Sequence, residues 1–282
     1  MIRMLTFGNS FADNISAYLP QIMLGANDDI LIGRANIGGC PFDKHWRLAQ
    51  IHEADPTDPE GMPYYNPQTD ERNLGLKEAL VMDKWDFVTI QQFSWISNDI
   101  ATYQPYAGYL RDYAKKYAPQ VEVIMHETWA YRKDDPRFDG VNDSMDIMYK
   151  DLSAAYKAVA AELNIRVVPV GDAFQIASND PEFIYTPDPN YNFTNPVFPE
   201  LPDQKNSLHA GYYWRKNEET SEYCLEMDGH HANRTGEYLG GLVFCGFLTG
   251  KSPVGNTFKP EWLTDVEIAT LQKAAEKALN SL

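Results

Sequence analysis

Segments that resemble buried strands alternate with segments of helical periodicity along most of this 282-residue chain. Each short apolar run, typical of a strand covered on both faces, is followed by a stretch in which apolar residues recur at helical spacing. The strand-like runs span residues 2–7, 30–37, 87–90, 121–125 and 166–170. Strands that alternate with helices pair in parallel. The sequence therefore predicts an α/β fold, a three-layer doubly wound sheet of about five parallel strands.

Two long stretches interrupt this alternation. Residues 52–73 are rich in Pro, Asp and Asn, and residues 175–227 carry six prolines and nine aromatic side chains without sustained periodicity. Loops of this length in a compact domain are either functional lids or binding walls, or surface excursions packed by their own aromatic side chains. Helical patterns resume after the second stretch, and Thr264 and Glu267 form a capping box at the start of the last helix. We therefore expect a single domain over 1–282 with two loop insertions.

Composition excludes several classes of partner. The formal net charge of −16 repels nucleic acids and anionic membranes. No apolar run approaches the length that spans a bilayer, so we expect a soluble protein, cytoplasmic as written or periplasmic or secreted if a leader was removed. The three cysteines form neither an even disulfide set nor a Cys-x-x-Cys pair. No cofactor is expected, and the oligomeric state is left open.

Polar residues and glycines follow the predicted strands directly, where ligands of open parallel sheets bind. Ser10 comes after the first strand and opens a helix, whose free N–H groups favour a developing oxyanion. A glycine N–H and a glutamine amide at neighbouring strand ends could donate to the same oxygen. The expected oxyanion donors are Ser10, Gly38, Gly39, Gln91 and Gln92.

An acid and an imidazole near the C-terminus complete this set. Asp228 and His231 are three residues apart, a spacing that lets both side chains share one face of a turn. The carboxylate can then orient the imidazole while the other ring nitrogen faces Ser10, as nucleophilic catalysis by a hydroxyl requires. His230 lies one position before His231 and does not share this spacing, so its side chain is expected to point in another direction.

These residues resemble the successive blocks of the SGNH (GDSL-like) hydrolase superfamily, and of a poorly characterised bacterial subgroup of it. The matching segments are Gly8-Asn9-Ser10-Phe11, Gly38-Gly39, Gln91-Gln92 and Asp228-x-x-His231. The resemblance implies a flavodoxin-like fold and a triad of Ser10, His231 and Asp228. The chain departs from the family pattern in two blocks. Asn9 replaces the usual Asp of the first block, and Gln91-Gln92 replace the Asn-Asp pair of the third. Asn98-Asp99, a few residues later, is the alternative equivalent of that pair.

The resemblance implies a serine esterase that removes acyl, and in particular acetyl, groups from a small-molecule or oligosaccharide ester. The long insertions hold more Tyr, Pro and Asn than Leu or Ile, which favours a carbohydrate over a lipid. A generic carboxylesterase, an acyltransferase with the same triad and a catalytically weak or inactive glycan-binding protein are the alternatives. A catalytic metal site is the alternative to the serine triad, and its candidate ligands are Asp228, His230, His231, His209 and Cys224. We expect no bound metal. The candidate substrate-binding residues are Asn9, His126, Trp129, Tyr213 and Trp214.

Overall fold

The predicted parallel sheet is present in a computed structural model that describes residues 1–138 and 144–281. The strands are β1 (Ile2–Gly8), β2 (Ile30–Asn36), β3 (Tyr64–Asn66), β4 (Glu71–Leu74), β5 (Phe87–Ile90), β6 (Glu122–His126), β7 (Arg166–Val168), β8 (His209–Lys216) and β9 (Tyr223–Ala232). Five of them form one sheet in the order β2-β1-β5-β6-β7, and every neighbouring pair is parallel. The α/β prediction is confirmed, and each predicted strand corresponds to one of these five.

Most of the helices pack in two groups. They are α1 (Ser10–Ser16), α2 (Leu19–Gly25), α3 (Phe42–Ala54), α4 (Leu76–Val81), α5 (Tyr106–Tyr117), α6 (Met145–Leu163), α7 (Val170–Ser178), α8 (Arg234–Thr249) and α9 (Asp265–Leu279). One group packs α3, α4 and α5 together, and the other packs α1, α2, α7 and α9 around α8, while α6 packs against α7 and β7. The apolar helix α8 is buried along most of its length, as a helix in the centre of such a group must be.

Prolines account for two differences between prediction and structure. The helical pattern over 11–24 is divided into α1 and α2, and Pro20 lies in the first turn of α2. Proline has no N–H to donate and clashes with the preceding turn, so it is tolerated there but not in the middle of one continuous helix. The strand predicted over 166–170 ends at Val168, and Pro169 immediately precedes α7.

The two interrupting stretches contain regular structure of their own. In the first, α3 continues to Ala54 and is followed by the antiparallel pair β3–β4. The second begins inside α7 and later forms the antiparallel hairpin β8–β9. Strand β9 extends beyond the predicted insertion and contains residues 228–231, so this hairpin positions the C-terminal acid and imidazole. Among the helices of the described ranges, none has the length and apolar character needed to cross a membrane.

Candidate active site

Ser10 lies at the junction between the first strand and the first helix. Strand β1 ends at Gly8, and Asn9 caps helix α1 by accepting a hydrogen bond at Oδ1 from the N–H of Phe11 (3.1 Å). A β-carbon on Gly8 would lie 2.9 Å from both Ala12 Cβ and Gln91 Oε1, so only glycine allows this close turn. Ser10 therefore occupies the first helical position, where a backbone N–H has no partner within the helix.

The structure brings Ser10, His231 and Asp228 into one chain of hydrogen bonds. His231 Nδ1 lies 2.8 Å from Asp228 Oδ2, and His231 Nε2 lies 2.7 Å from Ser10 Oγ. Because a carboxylate can only accept, Nδ1 carries the proton, and the unprotonated Nε2 accepts from the hydroxyl. All three side chains are partly exposed, so a solute can reach the hydroxyl from solvent.

Asp228 is held as a carboxylate by several donors. Burial disfavours its charge, but the side chain and backbone N–H of His231 together with nearby positive charge outweigh burial and lower the Asp228 pKa. Oδ1 accepts from the backbone N–H groups of His231 (3.0 Å) and His230 (3.3 Å). These bonds fold the end of β9 around the carboxylate, so that His231 turns towards α1.

His230 also faces the carboxylate, contrary to the sequence prediction. Its Nδ1 lies 3.2 Å from Asp228 Oδ1, and its ring is 5.3 Å from that of Tyr131. The prediction placed Asp228 and His231 on one face of a turn, whereas residues 228–231 belong to β9. Alternate residues of a strand share a face, which brings His230 beside Asp228, and the bend of the backbone around Asp228 Oδ1 brings His231 to the carboxylate as well.

A buried network supports the strand end below Ser10 and includes two residues predicted to bind substrate. Gln91 Nε2 donates to Asn9 Oδ1 (2.8 Å), and Asn9 Nδ2 donates to the carbonyl oxygen of Cys40 (3.2 Å). Burial lowers the pKa of His126 to about 3, so its ring is neutral and donates from Nδ1 to Gln91 Oε1 (2.7 Å). Asn9, Gln91 and His126 are at most 1% exposed. Contrary to expectation, Asn9 and His126 offer no surface to a substrate, and the Gln91 amide is engaged below the serine.

Gln92, like Gln91, has its side-chain amide engaged in hydrogen bonds inside the fold. Its Nε2 donates to the carbonyl oxygen of Thr102 (2.8 Å), while Oε1 accepts from the N–H groups of Phe42 (3.1 Å) and Phe93 (2.9 Å). Neither glutamine amide therefore faces solvent at Ser10, which corrects the prediction that one of them donates to an oxyanion. The alternative, Asn98, accepts at Oδ1 from Arg137 Nη2 (3.1 Å).

Gly38 and Gly39 form an exposed turn directly after β2. The N–H of Ile37 donates to the carbonyl oxygen of Gly8 (3.0 Å), which ties this turn to the strand end next to Ser10. Gly39 has φ +60°, and a β-carbon on Gly38 would meet no atom within 4 Å. No acceptor for either glycine N–H is found in residues 1–138 or 144–281. Both groups are thus available at the edge where Ser10 lies.

The three candidate aromatic residues lie in different surroundings. Trp129 is fully buried, stacks between Phe11 (4.3 Å) and Phe174 (4.5 Å), and donates from Nε1 to the carbonyl oxygen of His230 (2.8 Å). It therefore supports the histidine strand and does not contact substrate, contrary to expectation. Tyr213 is 42% exposed and shares the Asp228 face of the hairpin. Trp214, the other predicted substrate-binding residue of β8, is on the opposite face of the hairpin, and its Nε1 donates to the carbonyl oxygen of Glu200 (2.8 Å).

Three of the five candidate metal ligands lie together. The ligand atoms of Asp228, His230 and His231 are all within 4.8 Å of one another. His209 is buried, and its Nε2 bonds to the carbonyl oxygen of Ala130 (2.9 Å), while Cys224 is exposed near the start of β9. A cation held by the three clustered residues would compete with the hydrogen bond between His231 Nδ1 and Asp228.

Comparison with known proteins places the chain in a family. Residues 3–184 match the domain of unknown function DUF4886, whereas the curated proteins contain no match. A DUF4886 family protein from Bacteroides uniformis has 23% identity and a TM-score of 0.74, over 99% of this chain and 95% of that one. A proposed SGNH hydrolase from Slackia heliotrinireducens has 20% identity and a TM-score of 0.51, over 88% of this chain and 98% of that one. The chain belongs to the DUF4886 family and has the α/β fold of SGNH hydrolases.

Proposed function

We propose that this protein is a serine esterase in which Ser10 is the nucleophile, His231 the general base and Asp228 the group that orients the base. The observation that carries the proposal is the continuous path from Ser10 Oγ through His231 to Asp228, with distances of 2.7 and 2.8 Å. A serine hydroxyl is a weak nucleophile unless a neighbouring base takes its proton, and this path provides that base with a fixed tautomer.

The reaction follows from the positions of these groups. Ser10 Oγ attacks the ester carbonyl while its proton moves to His231 Nε2, and Asp228 stabilises the imidazolium through Nδ1–H. The N–H groups of Ser10 and of Gly38 or Gly39 hold the oxyanion of the tetrahedral intermediate. Collapse of the intermediate breaks the bond to the alcohol, which leaves with the proton from His231. Water, deprotonated by the same imidazole, then releases the acyl group from Ser10.

For the substrate, we propose a small acyl group, such as acetyl, on a carbohydrate. Exposed aromatic rings near the site support this choice, since such rings pack against the apolar faces of sugars. Tyr213 is 42% exposed on the hairpin, and Trp95 is 54% exposed in the turn after β5. An acyltransferase would use the same acyl-enzyme and differ only in the acceptor, which is a sugar hydroxyl in place of water.

Labelling with a fluorophosphonate probe tests the nucleophile directly, because the probe reacts with serines that an adjacent base activates. We expect the wild-type protein to be labelled and the Ser10→Ala variant to be unlabelled. Ser16, whose hydroxyl donates to the carbonyl oxygen of Ala12 (2.8 Å), provides the matched control, and Ser16→Ala should be labelled like the wild type. Labelling that persists in Ser10→Ala would contradict the assignment.

A glycan-binding protein without catalysis is the second candidate. It is favoured by the burial of Gln91 and Gln92, which leaves the oxyanion site without a glutamine donor. A screen of acetylated oligosaccharides and short p-nitrophenyl esters, read together with the labelling, separates the two functions. Release of acetate that requires Ser10 supports the esterase, whereas sugar binding with neither label nor turnover supports the binding protein.

A further inference from the structure

A cluster of one cation and two aromatic rings lies beside the paired imidazoles. Trp95 belongs to the turn Ser94–Ile96 directly after β5, and Arg137 belongs to the turn Pro136–Phe138. Tyr131 connects the cluster to the candidate active site, because its ring is 5.3 Å from the ring of His230 and 6.4 Å from that of Trp95. We call Trp95, Asn98, Tyr131 and Arg137 the Arg137 cluster.

In the described ranges, the ring and hydrogen-bond partners of the Arg137 guanidinium are neutral groups. Its guanidinium carbon lies 5.0 Å from the Trp95 ring centre and 5.1 Å from that of Tyr131, and Nη2 donates to Asn98 Oδ1 (3.1 Å). The Asp135 carboxylate accepts from the backbone N–H of Arg137 (2.9 Å) and is attracted to the Arg137 charge, but it forms no hydrogen bond with the guanidinium. Within residues 1–138 and 144–281, no carboxylate lies within ion-pair distance of this side chain.

A second arginine, Arg132, differs from Arg137 in having a carboxylate partner. Arg132 is buried, and its Nε pairs with Asp134 Oδ1 at 2.6 Å. Arg137, in contrast, is only partly buried and keeps guanidinium N–H groups that no described carboxylate satisfies. A guanidinium presents a planar fork of donors that matches a carboxylate. In a chain with net charge −16, this positive group beside the candidate site is suited to bind an anion.

The neighbouring indole adds a requirement on the shape of the ligand. Trp95 is 54% exposed although it is large and apolar, so one side of the ring is open to solvent. An exposed aromatic face next to a guanidinium that forms no ion pair within residues 1–138 and 144–281 favours a ligand that combines a flat, weakly apolar surface with an acidic group. A uronic acid residue has both features.

We propose that the Arg137 cluster is a subsite for a carboxylate-bearing sugar next to the esterified residue, so that the substrates are esters of acidic oligosaccharides. The sugar ring packs on Trp95, and its carboxylate accepts from the guanidinium of Arg137. This inference rests on the proposed esterase function, and it narrows the substrate class of that same site.

Binding to a variant without the nucleophile tests the subsite separately from catalysis. In a Ser10→Ala background, we expect isothermal titration to give roughly tenfold tighter binding, about 1.4 kcal/mol, for trigalacturonate than for neutral galactotriose at physiological ionic strength. Adding Arg137→Gln should abolish this preference, and Arg137→Lys should retain part of it. Arg34→Gln, on the exposed edge strand β2, removes the same charge and should preserve the preference. Trp95→Ala should weaken binding of both sugars.

The outcomes distinguish the two proposals. Equal binding of the two sugars, or a preference that survives Arg137→Gln in a folded variant, overturns the subsite. Sulfated galactotriose that binds as tightly as trigalacturonate overturns the assignment to a carboxylate. A preference that depends on Arg137, in a protein that hydrolyses no ester and takes no fluorophosphonate label, supports the subsite while refuting the esterase.

Discussion

Ser10 Oγ and His231 Nε2 lie 2.7 Å apart although 221 positions separate the two residues in the chain. Strand β1 delivers the serine to the edge of the parallel sheet, and the hairpin β8–β9 delivers the histidine from outside that sheet. Trp129 connects the two, because it stacks on Phe11 next to the serine and donates to the backbone of His230. The contact thus depends on packing between an early helix and a late hairpin.

Replacing Asp228 with Asn tests the role of the hydrogen bond between His231 Nδ1 and the Asp228 carboxylate. The amide keeps the shape but cannot stabilise an imidazolium, and its N–H favours the wrong tautomer of His231. We expect kcat to fall roughly ten-thousand-fold with little change in KM. Steady-state kinetics on an ester that the wild type hydrolyses provide the measurement, with circular dichroism to verify folding. A folded Asp228→Asn variant with near-normal kcat would exclude this role.

His230 should act as a positioning residue for Asp228. His230→Phe keeps a ring against Tyr131 but removes the group 3.2 Å from Asp228 Oδ1, so we expect kcat to fall about tenfold. His230→Asn restores a donor and should recover most of the activity. If the Asn variant is as impaired as the Phe variant, the histidine contributes through its ring and not through its nitrogen.

Gln91 should contribute to stability and not to catalysis. Gln91→Leu leaves the His126 Nδ1–H without its acceptor and removes one of the two donors to Asn9 Oδ1, the other being the N–H of Phe11. We expect the free energy of unfolding, measured in urea, to fall by about 1–3 kcal/mol, with kcat of the folded protein nearly unchanged. A large loss of kcat at unchanged stability would instead return Gln91 to the oxyanion site.

Glu127 should make the fold less stable as pH rises. Burial, reinforced by the charge of Asp172, raises its pKa, so the folded state holds the proton more tightly than the unfolded state. The stabilisation is complete at pH below the ordinary glutamate pKa and is lost as pH rises towards the raised value. Between about pH 5 and pH 8, Tm should decrease more in the wild type than in Glu127→Gln. Parallel Tm profiles for the two proteins would contradict this prediction.

Chelation should leave turnover unchanged, because the proposed mechanism uses no metal. Added Zn²⁺ should inhibit, since Asp228, His230 and His231 can bind it only by taking His231 from its hydrogen bond. Esterase assays with EDTA, and with Zn²⁺ followed by EDTA, measure both effects. Activity that is lost with EDTA and recovered with Zn²⁺ would favour the rival metal chemistry.

The parallel sheet could be predicted from the amino-acid sequence, together with the edge at which its polar residues gather. Periodicity is a local property, and strands 2–7 and 87–90 were visible because their apolar residues form short continuous runs. The order of Ser10, Asp228 and His231 and their residue types also suggested that the three would meet. The structure brings the three side chains into hydrogen-bond contact.

Which of these polar residues face solvent could not be predicted, because it depends on contacts between separate parts of the fold. Gln91 and Ser10 both follow strands, yet the glutamine amide points beneath the serine to Asn9 and His126, where the hydrogen bonds of three buried side chains must be satisfied. The side of β9 to which His230 turns depends likewise on the pairing of β9 with β8, which the irregular pattern of residues 175–227 does not indicate. Such choices depend on which groups meet across the fold, and spacing along the chain does not contain that information.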